Sequence, residues 1–437
     1  MPQSPQTQRE RAPDASRSPW PVAIQLLFRF AFTYFLLSGL YWIFQYADKS
    51  TAFVAKPYQQ CWRPFVLWTA AHLFQWRGSI EPNFVHDTRY LYALLTCFLL
   101  CSLVVTLLWS WLDRRRGHYP LLNDILRTCL RYELANLMLH YGMDKIFLLQ
   151  FPAPGLSRLV ERFGDYSPNS LMWAFVGSST AYTIFGGLAE IAGAVLLLSR
   201  KTTTGGALIT FAVMFNVTVM DFSYDVSVKL LCLNILLMAL YLIVPETRRL
   251  LKFFFFNQPT EATRLSEGNY SNTQRRLAGW LKVAVVLYLI VPLTVRDWRS
   301  YREVKSESTR TGLHGLYETT SFALGGRVLA PLVTDTVRWR YVIFDAPGEL
   351  TLGLMDGSLR RYRITHNVER EEITFDAEGD PLDKTTLKVI QQGEKHLTLE
   401  GSLAGKDLIS TFEKIDPSSF TLLNRGFHWV NEATFSR

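Results

Sequence analysis

The sequence predicts an all-α membrane bundle of about seven transmembrane helices, followed by a C-terminal antiparallel β-barrel or β-sandwich. Three observations support this fold class. Long apolar tracts occupy the first two thirds of the 437 residues, and most are long enough to cross a bilayer. Lys and Arg cluster at the ends of these tracts, as membrane anchors do. After about residue 305, apolar and polar residues alternate with the period of a β-strand.

The membrane part begins after a short tail. Residues 1–18 are rich in Pro, Gln, Ser and Arg, and we expect a disordered cytoplasmic tail. The next tract is too long for the core of a signal peptide, and no clear small-x-small cleavage site follows it, so it predicts a retained transmembrane helix. The predicted spans are residues 20–44, 91–113, 122–150, 171–198, 205–220, 228–244 and 277–295.

The domain boundaries follow from these spans. Residues 19–119 form an N-terminal transmembrane region, in which the segment 65–76 is too short to cross and is predicted to be interfacial or re-entrant. Residues 120–256 hold the next four spans. Residues 257–304 comprise a cytoplasmic linker and the last span, and residues 305–437 form the β-domain.

The charge pattern predicts the orientation. Basic clusters occur at 114–116, 200–201 and 248–276, whereas the turn at 221–225 carries no Lys or Arg. By the positive-inside rule, the N-terminus is then cytoplasmic and the β-domain is extracytoplasmic, which is typical of a multi-pass protein of a bacterial inner membrane. The net charge of +8 is explained by these anchors and does not favour nucleic-acid binding.

The β-domain has clear strand and turn signals. Leu350, Leu352 and Leu354 alternate with other residues and share one strand face, and Asp356-Gly357 is a hairpin turn signal. About eight such short strands favour a closed barrel or a sandwich.

Several ionisable residues lie inside the apolar tracts. At 100° per residue, Glu133, Asn136, His140 and Asp144 fall within an arc of about 80° on one helix. A lone charge near the bilayer centre costs about 2.5–3.5 kcal/mol, so partners are expected. The predicted ligand pocket comprises Arg29, Glu133, Asn136, His140, Asp144 and Glu190. A second polar cluster is predicted at the outer turn and comprises Asp221, Tyr224, Asp225 and Lys229.

Two interpretations of these residues stay open. They are either paired charges that fix the helix register, or a pocket for a ligand, a proton or a redox cofactor. No metal is predicted, because Glu133, His140 and Asp144 form only a loose ligand pattern. The five cysteines include no C-x-x-C, and no phosphate loop, dinucleotide fingerprint or haem motif is present.

Five segments carry a resemblance to a known family. They are "RYELANLMLHYGMDKIFLLQFP", "FGDYSPNSLMWAFVGSSTAY", "FGGLAEIAGAVLLLSRKT", "GALITFAVMFNVTVMDFSYDVSVK" and "ETRRLLKFFF", and in this order they resemble the DoxX-like membrane proteins. The ending "DPSSFTLLNRGFHWVNE" is similar to the tail of long bacterial members. The resemblance implies a four-helix core over residues 125–244 and a link to quinone chemistry. Asp221 and Ser227 depart from the Asn and Pro expected there.

Three functions are compatible with these observations. The first is binding or movement of a small lipophilic molecule, such as a quinone or lipid, in the polar pocket. The second is a quinone-linked oxidoreductase subunit that needs a separate partner. The third is a membrane scaffold whose β-domain binds another envelope protein. No catalytic motif is recognised, so the residues favour a binding protein over an enzyme. The expected partners are the lipid bilayer, a quinone or lipid ligand, and a membrane or periplasmic protein.

Overall fold

The computed structural model describes residues 20–45, 52–82, 86–261, 272–310, 312–367, 369–377 and 385–432. The predicted tail, residues 1–18, lies outside the described residues. The chain divides into two compact units. The first unit comprises Met1–Leu137, Gly193–Phe222 and Val226–Ser266. The second unit comprises Met138–Ala192, Ser223–Asp225 and Glu267–Arg437.

Helices joined by loops and turns make up the described residues of the membrane part. Its helices are α1 (Val22–Gln45), α2 (Ala52–His72), α3 (Arg89–Leu112), α4 (Pro120–Ile146), α5 (Leu156–Val160), α6 (Pro168–Gly177), α7 (Thr180–Leu197), α8 (Thr203–Ser223), α9 (Lys229–Ile243), α10 (Thr247–Phe254) and α11 (Asn272–Arg310). A last short helix, α12 (Thr421–Asn424), follows the β-strands.

The predicted multi-pass membrane bundle is confirmed. Within the described residues, six helices are long and apolar enough to cross a membrane: Val22–Tyr41, Arg89–Leu112, Thr180–Leu197, Thr203–Ser223, Lys229–Phe254 and Gly279–Ser306. The predicted span at 122–150 corresponds to the 27-residue helix α4, which has the length to cross but carries charged side chains along its course.

Two segments differ in detail from the predicted spans. The tract 171–198 is two helices, because α6 ends at Gly177 and α7 begins at Thr180. The segment 65–76 is not a separate short helix, since most of it forms the end of the 21-residue helix α2. Pro57 and Pro64 lie inside α2, and polar residues in its first half hid the helix from a hydropathy reading.

In the first unit, α1 packs against α2 and α3. The ring of Tyr41 meets Phe98 edge to face, and both side chains are fully buried.

A loop carboxylate fixes the start of α9, because Asp87 accepts hydrogen bonds from the backbone N–H groups of Lys229 and Leu230 at 2.8 and 3.0 Å. These donors have no partner inside the helix, so Asp87 caps it.

In the second unit, α4 and α7 approach closely at two glycines. A Cβ placed on Gly142 would lie 2.9 Å from the carbonyl oxygen of Gly187 and 2.7 Å from the side chain of Ile191. Only glycine permits this separation, as small residues do in membrane helix pairs generally. The contact brings the last two turns of α4 against the middle of α7.

The predicted β-domain is a closed antiparallel barrel. Its strands are β1 (Gly315–Leu324), β2 (Arg327–Val328), β3 (Trp339–Phe344), β4 (Glu349–Leu354), β5 (Leu359–Asn367), β6 (Glu372–Ala377), β7 (Thr385–Gln392), β8 (His396–Leu403) and β9 (Lys406–Ile415). Their order is β2-β1-β3-β4-β5-β6-β7-β8-β9, and pairing of β1 with β9 closes eight strands, with β2 as a short extension.

The barrel interior is filled by side chains. Tyr317, Phe322 and Trp339 lie in its core, together with the three predicted residues Leu350, Leu352 and Leu354. The predicted turn also forms, with Gly357 at φ 87° between β4 and β5. An interior packed in this way stabilises the fold.

The outside of the barrel contacts the segment around α5. Asp345 accepts hydrogen bonds from the backbone N–H groups of Leu156 and Ser157 at 3.0 and 3.2 Å, and from the Ser157 hydroxyl at 3.0 Å. Beside these bonds, Leu156 packs with Leu316 and Ile343 in a separate small apolar cluster. The second unit therefore joins the barrel to the loop between α4 and α6.

Candidate functional site

A buried ion pair occupies the α4–α7 contact of the second unit. The Lys145 ammonium lies 2.8 and 2.9 Å from the two carboxylate oxygens of Glu190, and it also donates to Oε1 of Gln150 at 2.9 Å. Glu190 is 2% exposed and Lys145 8% exposed. Lys145, and not a member of the predicted pocket, is therefore the cation that faces Glu190. The pair links α4 to α7, and its three acceptors satisfy the three N–H groups of the Lys145 ammonium.

A second charged group lies where α4 meets α11. Arg296 contacts Asp144 Oδ1 at 2.8 Å through Nη2 and His140 Nδ1 at 3.2 Å through Nη1. Its Nε donates to the neighbouring Asp297, whose side chain is fully buried. Sequence reasoning missed Arg296 because the last predicted span ended one residue earlier. The signal that could have identified Arg296 is its position as a basic residue directly after an apolar tract.

Arg29, Glu133 and Asn136 belong to the first unit. The Arg29 guanidinium donates to Ser110 Oγ and Tyr119 Oη, both at 2.7 Å, and to the Asp113 carbonyl at 3.1 Å. Asn136 is half-buried. Glu133 Oε1 is buried and has no hydrogen-bond partner within the described residues.

Glu133 lies against a glycine of α1. A Cβ on Gly39 would meet Glu133 Oε2 at 2.8 Å. Ser38 Oγ and Asn234 Nδ2 are two further buried polar atoms of the first unit that lack a partner in the described part of the chain. Buried polar atoms of this kind are usually satisfied by water or a ligand.

The predicted outer-turn residues are distributed over both units. Asp221 is 3% exposed in the first unit, while Tyr224 and Asp225 are exposed in the second. Asp225 has φ 51°, a left-handed conformation that Asp tolerates better than most residues. Lys229 is the first residue of α9 and is held through its backbone N–H by Asp87, a residue that the sequence analysis did not single out.

The first unit also contains a cavity of about 1010 Å³. It lies at one end of the helices, where α4 and α8 begin and where α7 and α9 end. Its basic and acidic lining residues are His118, Asp124, Arg127, Arg131, Arg200, Lys201, Glu246 and Arg249. Five Arg and Lys side chains face two carboxylates, which leaves a formal excess of three positive charges.

The rest of the lining consists of Asn123, hydroxylated residues and apolar residues. Thr128, Thr203 and Thr204 supply hydroxyl groups. The apolar lining residues are Trp20, Pro120, Leu121, Leu250, Phe253 and Phe254. Phe253 and Phe254 are 59% and 69% exposed at the end of α10, so the apolar wall continues out of the cavity. The sequence analysis missed this site because each basic cluster by itself has the pattern of a membrane anchor.

A metal site does not form among the described residues, where no group of three or more His, Cys, Asp or Glu side chains could hold an ion. The chemistry of the cavity is that of an anion-binding site beside an apolar surface.

In the described part of the chain, the six long apolar helices and the closed barrel define a multi-pass membrane protein with a C-terminal β-barrel domain. The chain is similar to the uncharacterized protein YwoB of Bacillus subtilis (strain 168), with 30% identity over 121 residues. The match covers 25% of this chain and 79% of YwoB. The chain belongs to the same family as YwoB. No family model and no solved structure matches the chain.

Proposed function

We propose that this protein binds a small amphiphilic molecule, a lipid or a quinone, in the cavity of the first unit. The observation that carries the proposal is the mixed lining of the cavity, which has a cationic part that includes Arg127 and Lys201 and an apolar part that includes Leu250 and Phe253. A molecule with a polar head and an apolar tail fits both parts at once.

The position and size of the cavity support this proposal. Its volume of about 1010 Å³ is at the upper end of the range for small-molecule sites. It lies at the ends of helices that are long and apolar enough to cross a membrane, so a ligand from the bilayer has a short path into it. The exposed side chains of Phe253 and Phe254 extend the apolar wall along that path.

The charge pattern gives the proposed orientation. The cavity includes Arg200, Lys201 and Arg249 from the basic clusters at 200–201 and 248–276, and by the positive-inside rule we propose that this end is cytoplasmic. The protein then lies in a bacterial inner membrane with its barrel outside the cytoplasm. The DoxX-like four-helix core over residues 125–244 remains part of this proposal.

A quinone-linked oxidoreductase subunit with a separate partner is the second candidate. The Arg296–His140 contact supports it, because a guanidinium and an imidazole both donate hydrogen bonds to a quinone carbonyl. Arg296 is 46% exposed in the second unit, so it can reach a ligand beyond His140 and Asp144.

The test is retention of a lipophile by the full chain. The protein is purified in mild detergent, its bound lipids and quinones are extracted, and both are quantified by mass spectrometry. Thr204→Trp places a large ring in the cavity, whereas Leu107→Trp adds the same ring to an exposed position of α3 that does not line it. Thermal unfolding of both variants verifies that they fold.

We expect about one lipophilic molecule per wild-type chain, the same retention by Leu107→Trp, and a loss of most of it by Thr204→Trp. A wild-type protein that retains no lipophile, or a folded Thr204→Trp variant that retains as much as Leu107→Trp, contradicts the proposal. If the protein retains a quinone, and this quinone is oxidised or reduced only when a partner protein is present, the result favours the oxidoreductase subunit.

A further inference from the structure

We infer that the cavity recognises a negatively charged phosphate group, and that the group is the head of an anionic phospholipid. This inference rests on the proposed function and names the ligand of the same site. The phosphate is held by three cations, Arg127, Arg131 and Lys201, which line the cavity from the first half of α4 and the loop between α7 and α8.

The two acidic residues of the cavity already have partners. Asp124 accepts from Arg200 at 2.9 Å, and Glu246 forms an ion pair with Arg249 at 3.4 Å. Among the described residues, Arg127, Arg131 and Lys201 form no ion pair with a carboxylate. The excess positive charge of the cavity is therefore concentrated on these three side chains, and an anion is the group that neutralises it.

Arg131 is the most buried of the three. It is 5% exposed, and its Nε and Nη2 donate to the carbonyl oxygens of Leu197 and Leu198 at 3.0 and 3.3 Å. These bonds satisfy the end of α7 and fix the plane of the guanidinium. Nη1 makes no hydrogen bond among the described residues, so its N–H groups are available to a ligand. The fixed guanidinium is therefore prepared for a ligand oxygen.

Two helix N-termini add to the positive potential. The first residues of α8, Thr203 and Thr204, and the first residue of α4, Pro120, line the cavity. The N-terminal backbone N–H groups of such long helices lack partners within the helix, and the helix dipole favours an anion there. The carbonyl end of α7, which has the opposite polarity, is neutralised by Arg131.

The combination of groups favours a phosphate over a carboxylate. A tetrahedral phosphate offers oxygens in several directions and can accept hydrogen bonds from cations on different elements, whereas a carboxylate presents its two oxygens in one plane. A phosphodiester in a lipid also brings acyl chains, which match the wall formed by Leu250, Phe253 and Phe254. A free phosphate would leave this wall without a ligand.

The test uses the full chain in detergent and three soluble probes, with the thermal unfolding midpoint as the readout. The probes are a short-chain phosphatidylglycerol, a short-chain phosphatidylcholine and inorganic phosphate. The variants are Arg127→Gln and Lys201→Gln, whose side chains form no ion pair among the described residues. Arg248→Gln is the matched control, because Arg248 is an exposed cation outside the cavity lining.

We expect phosphatidylglycerol to raise the midpoint of the wild type more than phosphatidylcholine does. The apparent affinity for phosphatidylglycerol should fall about tenfold in each cavity variant, because each cavity variant loses one charge-assisted hydrogen bond to the phosphate. The affinity should stay unchanged in Arg248→Gln. Equal stabilisation by both lipids, or an equal loss in Arg248→Gln, overturns the inference.

Two further outcomes separate this inference from the proposed function. If inorganic phosphate binds as tightly as the lipid and Arg127→Gln weakens both equally, the phosphate site is supported but its ligand is a free phosphate, which contradicts a lipophilic ligand. If the purified protein retains a neutral lipophile and none of the phosphate probes shifts the midpoint, the phosphate inference is overturned while the proposed function stands.

Discussion

The ion pair between Lys145 and Glu190 allows a sharp test of how the second unit is held together. Glu190→Gln preserves size and leaves one oxygen acceptor, but it removes the negative charge that lies 2.8 and 2.9 Å from the Lys145 ammonium. Both side chains are buried, so water does not replace the lost carboxylate. Removal of one partner from a buried pair typically costs about 3–5 kcal/mol.

We place the expected cost near the lower limit, at about 3 kcal/mol, because two acceptors remain for Lys145. One is Gln150 Oε1 at 2.9 Å, and the other is the new amide oxygen. The free energy of unfolding is measured by denaturant titration of the full chain in one detergent. The double variant Lys145→Met with Glu190→Gln should recover most of the loss, since no cation is then stranded.

Glu133→Gln is the matched control, because it makes the same substitution at a second carboxylate of the bundle, one that is partly buried. Glu133 forms no ion pair within the described part of the chain. The free energy of unfolding of the Glu133→Gln variant should therefore differ from that of the wild type by less than about 1 kcal/mol. The reasoning is refuted if Glu190→Gln is as mild as Glu133→Gln, or if the double variant is less stable than both single variants.

Contacts elsewhere in the chain and the charge pattern allow four further tests. Asp345→Ala should destabilise the second unit by about 1–3 kcal/mol and speed hydrogen exchange in α5, as the carboxylate accepts three hydrogen bonds there; unchanged exchange would contradict this role. Asp87→Ala removes the cap of α9 and should lower the free energy of unfolding by about 1 kcal/mol, measured by denaturant titration. The Ser358 hydroxyl and backbone N–H hold the pKa of Asp356 below its usual value. The ionised Asp356 carboxylate therefore stabilises the fold above the pKa of the unfolded state, and this stabilisation is lost as the pH falls through the pKa of the folded state. NMR titration of the carboxyl group measures this shift of the pKa. A reporter that works only in the periplasm should be active when it is fused after Arg437. Activity of a reporter that works only in the cytoplasm, fused at the same position, would contradict the proposed orientation.

Local sequence signals account for most of the fold that was predicted. The alternation of Leu350, Leu352 and Leu354 identified β4, and Asp356-Gly357 identified the turn after it, because both depend only on neighbouring residues. Closure of the barrel depends on the pairing of β1 with β9, about 90 residues apart, and no local signal specifies such a partner. The sequence therefore left the barrel and the sandwich as alternatives.

The candidate sites were likewise predictable where they depend on local sequence signals, and not where they depend on the packing of distant segments. The polar stripe of α4 was predictable from helical periodicity, and the expected partners exist: Lys145 for Glu190, and Arg296 for Asp144. Which cation meets which carboxylate depends on the helix packing, set in part by the Gly142–Gly187 approach, and this packing is not visible in hydropathy.

The cavity was harder to predict for a further reason. Its cations come from separate stretches, with Arg127 on α4, Lys201 before α8 and Arg249 on α10. Each stretch alone has the composition of a membrane anchor. The tertiary fold brings them together and leaves Arg127 and Lys201 without carboxylate partners among the described residues.

The most direct test of the account is a cryo-electron microscopy map of the full chain in nanodiscs that contain phosphatidylglycerol. The account predicts lipid density in the cavity, with its head between Arg127, Arg131 and Lys201 and an acyl chain along Phe253 and Phe254. A well-resolved cavity that is empty, or that is filled by residues 1–19 of the chain itself, would contradict it.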